Sequence, residues 1–277
     1  MTTVFDRAYL LQIGPILVDG SAGANGALRC AFSVERDTST DPNSAEFVVY
    51  NLTASNRKEL AATENVYVRF SAGYVGDLNL IFDGWLRRVE VIKDGAEWLT
   101  RVSAGDGEGK IVSSRAHLTF RKGALVRDVL AQLVTAMGGD GAAVAPNLPI
   151  ALMSRTIPHG FAIAGNARQC LGQACANLGL EWSAQNGSIV VLEKGRARNT
   201  LDVPLISPDT GLLGSPRHDK PNTVICSTVL LPGLQPGDAF RLESRSMTGD
   251  FRVEKSVHHG DTHEGDAWGI EIEGKKL

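Results

Sequence analysis

Residues 1–110 alternate apolar with polar positions at a period of two, the mark of strands that bury one face. Leu28, Cys30, Phe32 and Val34 share one side of the stretch 28–36, with Arg29, Ser33 and Glu35 on the other. Val66, Val68, Phe70 and Ala72 likewise oppose Asn65, Tyr67, Arg69 and Ser71 over 65–74. Further strands are predicted over 9–13, over 78–92 across Gly84, and over 97–104 after the Asp94-Gly95 turn. Residues 19–26 read as a flexible loop. The stretch 41–60, DPNSAEFVVYNLTASNRKEL, organises this region. A turn signal leads into a strand whose Phe47, Val48, Val49, Tyr50 and Leu52 are apolar on both faces, predicting burial on both. Thr53 or Ser55 then caps a single helical turn over 56–60. A strand buried on both faces needs partners on both sides. Six or seven strands around it predict a small barrel or sandwich.

From residue 111 the period changes. Leu125, Val129, Leu133 and Met137 fall at four-residue steps and predict a helix over 123–137 that Gly138-Gly139 ends. Asn166 caps a second helix with Ala167, Leu171, Ala174 and Leu178 on its apolar stripe, closed by Gly179. A hairpin follows, 181–184 with 189–193, across Gln185-Asn186-Gly187. The two helices share a pattern that hints at a duplicated strand–helix unit. Strands return at 201–206, 223–231, 239–244, 250–257 and 267–273, with 208–222 as a long loop and turns at Pro232-Gly233 and Pro236-Gly237. The fold class is mainly β with an α+β insert: two small β-barrels flanking a module with two helices. The domains are 1–110, 111–196 and 197–277.

Composition narrows the functional classes. The chain has 277 residues, 43% hydrophobic and 21% charged, ordinary for a globular protein of two or three modest domains. A net charge of −3 gives no basic balance for nucleic-acid binding. Cys30, Cys170, Cys175 and Cys226 lack CxxC or small-scaffold spacing and read as free thiols of a chain made in a reducing cytosol. No apolar run reaches membrane length.

The densest polar cluster is HHGDTHEGD, with His258, His259, Asp261, His263, Glu264 and Asp266. Imidazole and carboxylate are metal ligands, so His258, His259, Asp261 and His263 are the candidate metal site. Turn chemistry accounts for the same residues, because a hairpin turn is expected between the last two strands. Asp106, Glu108 and Lys110 in AGDGEGK lack the GxxxxGK[ST] pattern, since Ile111 follows Lys110, and read as a polar loop. Ser154 and His159 lie outside any GxSxG context. Asp83 and Glu90 flank Trp85 and read as solvated strand faces. Trp85, Trp98, Trp182 and Trp268 sit singly on strands, as packing residues rather than a stacking platform. No catalytic or cofactor-binding residue is assigned.

The words YNL and a short capped turn after a strand resemble the first domain of phage tail baseplate hub proteins. The far end is similar to their last domain: TGLLGSP, a strand, LLPGLQPGD, a strand, then FRVEKSVHHGD and a final strand bearing Trp268. The resemblance covers most of the chain and rests on word and element order. It implies two tube-protein-like barrels around an α/β insert, no enzymatic activity, no cofactor and no metal role for HHGD. It also implies a homotrimeric ring in the virion tail that adapts a sixfold tail tube to a threefold spike and leaves a channel for DNA. The implied partners are the tail tube protein, a central spike or tip protein and other baseplate proteins, without specific nucleic-acid recognition or membrane insertion. The competing reading is a peptidoglycan- or carbohydrate-binding cell-wall protein with 111–196 as its binding part.

Overall fold

A computed structural model of the chain describes residues 6–23, 26–63, 65–106, 113–198, 202–231, 233–263 and 268–277. Seven strands come first: β1 (Arg7–Ile13), β2 (Ile16–Gly20), β3 (Cys30–Asp37), β4 (Ser44–Tyr50), β5 (Tyr67–Tyr74), β6 (Asp77–Asp94) and β7 (Glu97–Gly105), with helix α1 (Ala54–Ala62) between β4 and β5. The insert runs β8 (Arg115–Phe120), α2 (Val126–Ala136), α3 (Ile150–Met153), β9 (Phe161–Asn166), α4 (Ala167–Leu178), β10 (Leu180–Gln185) and β11 (Ser188–Glu193). Six strands end the chain: β12 (Leu205–Ile206), β13 (Leu212–His218), β14 (Thr223–Val229), β15 (Ala239–Glu243), β16 (Thr248–Asp261) and β17 (Trp268–Lys276). The fold class is the one read from the sequence. Two compact units form, one from residues 1–37, 43–106 and 199–277, the other from 38–42 and 107–198.

The first unit is a 13-stranded sheet in the order β13-β14-β17-β16-β3-β4-β7-β6-β5-β1-β2, with β15 beside β16 and β12 beside β15. Two apolar cores lie within it. Phe70 and Phe82 meet Phe47 in the first, tilted and edge-on, at centroid distances of 4.9 and 6.2 Å. Phe240 and Phe251 stack at 5.7 Å in the second. The strand β16 belongs to both halves. It pairs with β17 along one edge, and along the other first with β15 and then, from Lys255 to Asp261, with β3. Trp268 crosses the same seam: it sits on β17 yet packs edge-on to Phe32 at 5.3 Å and donates its indole N–H to the Gly73 carbonyl at 3.2 Å. Gly260 leaves room for that contact, since a Cβ there would stand 2.6 Å from both rings.

The central stretch departs from its reading. Ala45, Phe47 and Val49 are fully buried, but Val48 and Tyr50 are half-buried, so β4 buries one face only. The word YNL has a backbone cause. Asn51 takes a left-handed conformation, φ 57°, which asparagine tolerates better than most residues. There it exchanges hydrogen bonds with Trp98: its N–H donates to the Trp98 carbonyl at 2.7 Å, and its Oδ1 accepts from the Trp98 N–H at 3.0 Å. Leu52 then turns into the core, and Thr53 caps a nine-residue helix, longer than the single turn expected.

Other departures are local. The strand β2 was not foreseen, and Asp19 and Gly20 lie in it rather than in a loop; Ala24 and Asn25 lie outside the described residues. Leu28 precedes β3 and is 37% exposed. The expected loop 208–222 contains β13. Leu201, Pro232 and Ala267, placed in strands or turns by the sequence, lie outside the described residues. At Gly84 the long β6 passes from β5 to β7; a Cβ there would meet the Gly105 carbonyl oxygen at 2.4 Å, so only glycine allows the crossing.

In the second unit each of two strands leads to a helix. β8 precedes α2 and β9 precedes α4, as the shared helix pattern hinted; the antiparallel pairing of β8 with β9 was not foreseen. Val126, Val129, Leu130, Leu133 and Val134 are the buried stripe of α2, which Met137 caps; it begins at Val126, after Gly123 turns the chain at φ 83°. Asn166 caps α4 by accepting from the Gln169 N–H at 3.2 Å, and Gly179 closes it at φ 71°. The β10–β11 hairpin turns at Asn186-Gly187, both with positive φ.

Phe47→Ala removes a fully buried ring that touches two others, so it should cost about 3–5 kcal/mol, read as a lower midpoint in urea denaturation of the full chain.

Candidate functional site

The sequence-nominated histidine cluster lies only partly in the expected turn, because β16 runs on to Asp261 and the chain bends at Thr262 and His263. His258, His259 and Asp261 lie in β16, at the seam with β3, where period-two geometry sends adjacent side chains to opposite faces. His258 is fully buried, and neither ring nitrogen has a hydrogen-bond partner. His259 faces the other way and is half-buried, with Nδ1 3.4 Å from the Val257 carbonyl. Asp261 is committed to Arg29, whose Nη2 and Nε donate to its carboxylate at 2.8 and 3.1 Å. His263 donates its backbone N–H to Asp261 Oδ1 at 2.9 Å, and its Nδ1 stands 2.9 Å from Thr262 Oγ1. The four nominated residues therefore have no common centre. Among the described residues no group of three or more His, Cys, Asp or Glu is arranged to hold a metal ion. Glu264 and Asp266 lie outside the described residues.

What β16 and β3 do build is a buried polar seam. Arg36 is 1% exposed, opposite Ser256 in the register, and donates from Nη1 to the Ile81 carbonyl at 3.4 Å. His258 lies one inward position along, opposite Val34 on β3 and Ile270 on β17. Burial, the nearby Arg36 cation and His259 hold the His258 imidazole down at about 3, neutral at physiological pH. Period-two parity puts Arg36 on the same face as Phe32 and Val34, so its inward position was available in the sequence. Its charge argued the other way. Ion pairs close the seam at both ends, Lys255 with Glu35 and Arg29 with Asp261.

Asp83 corrects another expectation. It is buried, not solvated; Oδ2 accepts from Arg69 Nη2 at 3.0 Å, and Oδ1 has no partner. Burial, with the Asp106 carboxylate nearby, pushes its carboxyl up to about 6. Asp106 is itself buried and accepts from Asn43 Nδ2 at 3.2 Å; Glu108 and Lys110 lie outside the described residues. Glu90 pairs with Arg88 at the surface. Ser154 and His159 are both exposed. Trp182 and Trp268 are core residues. Trp85 and Trp98 are each 37% exposed, the first edge-on to Tyr67, the second under the Arg57 guanidinium at 4.3 Å. All four cysteines are free thiols; burial pushes Cys175 and Cys226 up to about 12 and raises Cys30 further.

The remaining candidate surfaces are sheet edges. β2 and β13 are the two ends of the strand order, each paired on one side only, and carry Leu17 and Leu213, 56% and 49% exposed. Unpaired edges are ready templates for another chain. No helix among the described residues is long and apolar enough to cross a membrane.

The His258 imidazole titrates at 6.5 when unfolded and near 3 when folded, so the unfolded state binds the extra proton between those values. Stability should be level above that window and fall as the pH drops through it, by about 1.4 kcal/mol per pH unit at the steepest. His258→Leu should abolish this component in a pH series of urea denaturations. The opposite trend of Asp83 is common to both chains and cancels in the difference.

No protein-family model matches the chain, and no curated protein sequence matches it. Solved structures do. The tail protein from Neisseria meningitidis MC58 superposes with a TM-score of 0.67 at 13% identity, covering 98% of this chain and 97% of that one. The 43 kDa tail protein of prophage MuSo2 from Shewanella oneidensis gives 0.66 at 8% identity, with the same coverage. The E. coli c3393 protein gives 0.63 at 8% identity, covering 96% of this chain and 76% of its own. That protein is a type VI secretion component described as structurally similar to the T4 tail proteins gp27 and gp5. The chain therefore shares the fold of these tail proteins over nearly its whole length.

Proposed function

We propose that this protein is the structural hub of a phage, or phage-derived, tail baseplate. Three copies form a ring that adapts a sixfold tail tube to a threefold spike and leaves an axial channel for DNA passage. The observation that carries this reading is the fold likeness to a tail protein over 98% of one chain and 97% of the other. In this reading residues 1–110 and 197–277 are the two tube-like domains and 111–196 the insert. Each β portion has its own apolar core. Three chains then offer six similar modules, so a threefold ring can match a sixfold one.

The chain's role in this reading is mechanical, without catalysis. Its partners are two further copies of itself, the tail tube protein, a central spike or tip protein and other baseplate proteins. It recognises no nucleic-acid sequence and does not insert into a membrane. It is made in the host cytoplasm and resides in the virion tail. The ends of the sheet, β2 and β13, suit head-to-tail pairing between copies, a contact that closes on itself after three steps.

Light scattering should give three chain masses, and electron micrographs a ring. Leu17→Lys with Leu213→Lys places charges on both edges and should reduce the particle to one chain mass without lowering its thermal midpoint. A wild-type chain that stays monomeric at high micromolar concentration would overturn the proposal.

A further inference from the structure

The amino end of α4 borders an open pocket of about 330 Å³ lined by Thr40, Asn166, Arg168, Gln169, Gly172 and Trp182, all within the second unit. Three independent features make it a donor-rich site. First, α4 is a twelve-residue helix, so its aligned peptide dipoles place partial positive charge at this end. Second, Arg168 stands two turns of sequence from nothing acidic on its own helix and already holds one carboxylate, that of the exposed Asp41, with Nη2 at 2.6 Å from Oδ1. The same Nη2 donates to the Thr40 carbonyl at 2.8 Å, so neither bond uses Nε or Nη1. Third, Trp182 is 3% exposed and its indole N–H has no hydrogen-bond partner. A buried donor left unmade is costly and rare, which makes it a pointer to an acceptor from outside the chain.

Gly172 ties these features together. Glycine weakens a helix interior relative to alanine, and packing does not require it here. A Cβ at this position would meet only the Trp182 indole nitrogen, at 3.6 Å, an ordinary contact. With no side chain at Gly172, the pocket is lined side by side by that backbone and the Trp182 ring, and an added Cβ would stand against the indole nitrogen. The setting has the matching sign as well. Residues 113–198 carry nine Lys and Arg against four Asp and Glu, whereas the whole chain is −3.

We infer that this pocket binds a carboxylate, held by the Arg168 guanidinium and the amino end of α4, with the Trp182 indole N–H as the buried donor. The source is an acidic side chain of a partner protein or a free small carboxylate, and the site is independent of the hub assembly.

The test follows the indole N–H resonance of Trp182 in the full chain, assigned by its disappearance in Trp182→Phe. The probes are sodium succinate, a hexapeptide with one central Glu, and the same peptide with Gln. A saturable downfield shift is expected with a carboxylate and not with the Gln peptide. A response to the Glu peptide alone assigns a protein partner; a response to succinate assigns a small carboxylate. Arg168→Gln and Gly172→Ala should each weaken binding about tenfold, the latter while keeping or raising the thermal midpoint. No saturable shift with either carboxylate, an equal shift with the Gln peptide, or undiminished binding by Gly172→Ala would overturn the inference.

Discussion

The pairing of β16 with β3 is the contact on which the rest of the first unit depends. Seven residue pairs, from Lys255 opposite Asp37 to Asp261 opposite Ala31, turn two groups of strands into one sheet. Without them the first core and the second would each end in an open edge. The seam is sealed by unlike means along its length. Salt bridges hold its two ends, the exposed Lys255–Glu35 pair contributing little and the Arg29–Asp261 pair half-buried, and Val34 stands opposite the neutral His258 inside. The Trp268 ring adds an apolar tether from β17 into the first core.

The seam also sets an electrostatic constraint. An imidazole with no partner, buried beside an arginine, is tolerated only while neutral. Leucine would fill the same space without that sensitivity. A polar residue at such a place specifies less by attraction than by what it forbids, because any slip of register by one position would carry His259 inward and His258 to the surface. In a ring of six modules a fixed angle between the halves of each chain is what lets all six match one tube, so a seam that tolerates no slippage suits the proposed role.

Local signals carried much of this fold. Alternation located β3 and β5, the Asp94-Gly95 turn located β7, and caps located α1 and α4 through Thr53 and Asn166. Asn186-Gly187 located the last hairpin of the insert. What stayed hidden was non-local or compositionally disguised. Residues 258–261, HHGD, carry the polar and glycine content of a turn, yet β3 pairs with them from more than two hundred residues away, and pairing overrides propensity. The strands β2 and β13 are edge strands with glycine and proline at their margins, which reads as loop. The pocket at α4 was not read from the sequence, and a histidine pair on one strand resembled a ligand set until parity separated its members.

The shared β16 has a consequence for the order of synthesis. The first seven strands emerge from the ribosome before the segment that covers the outer edge of β3, which follows more than two hundred residues later. During that interval β3 presents bare amides and carbonyls to every neighbouring nascent chain, a hazard that grows with crowding on a polysome. The helical insert, whose contacts are mostly local, is free to form in the meantime. Completion of β16 is thus the moment at which the earlier strands cease to be adhesive.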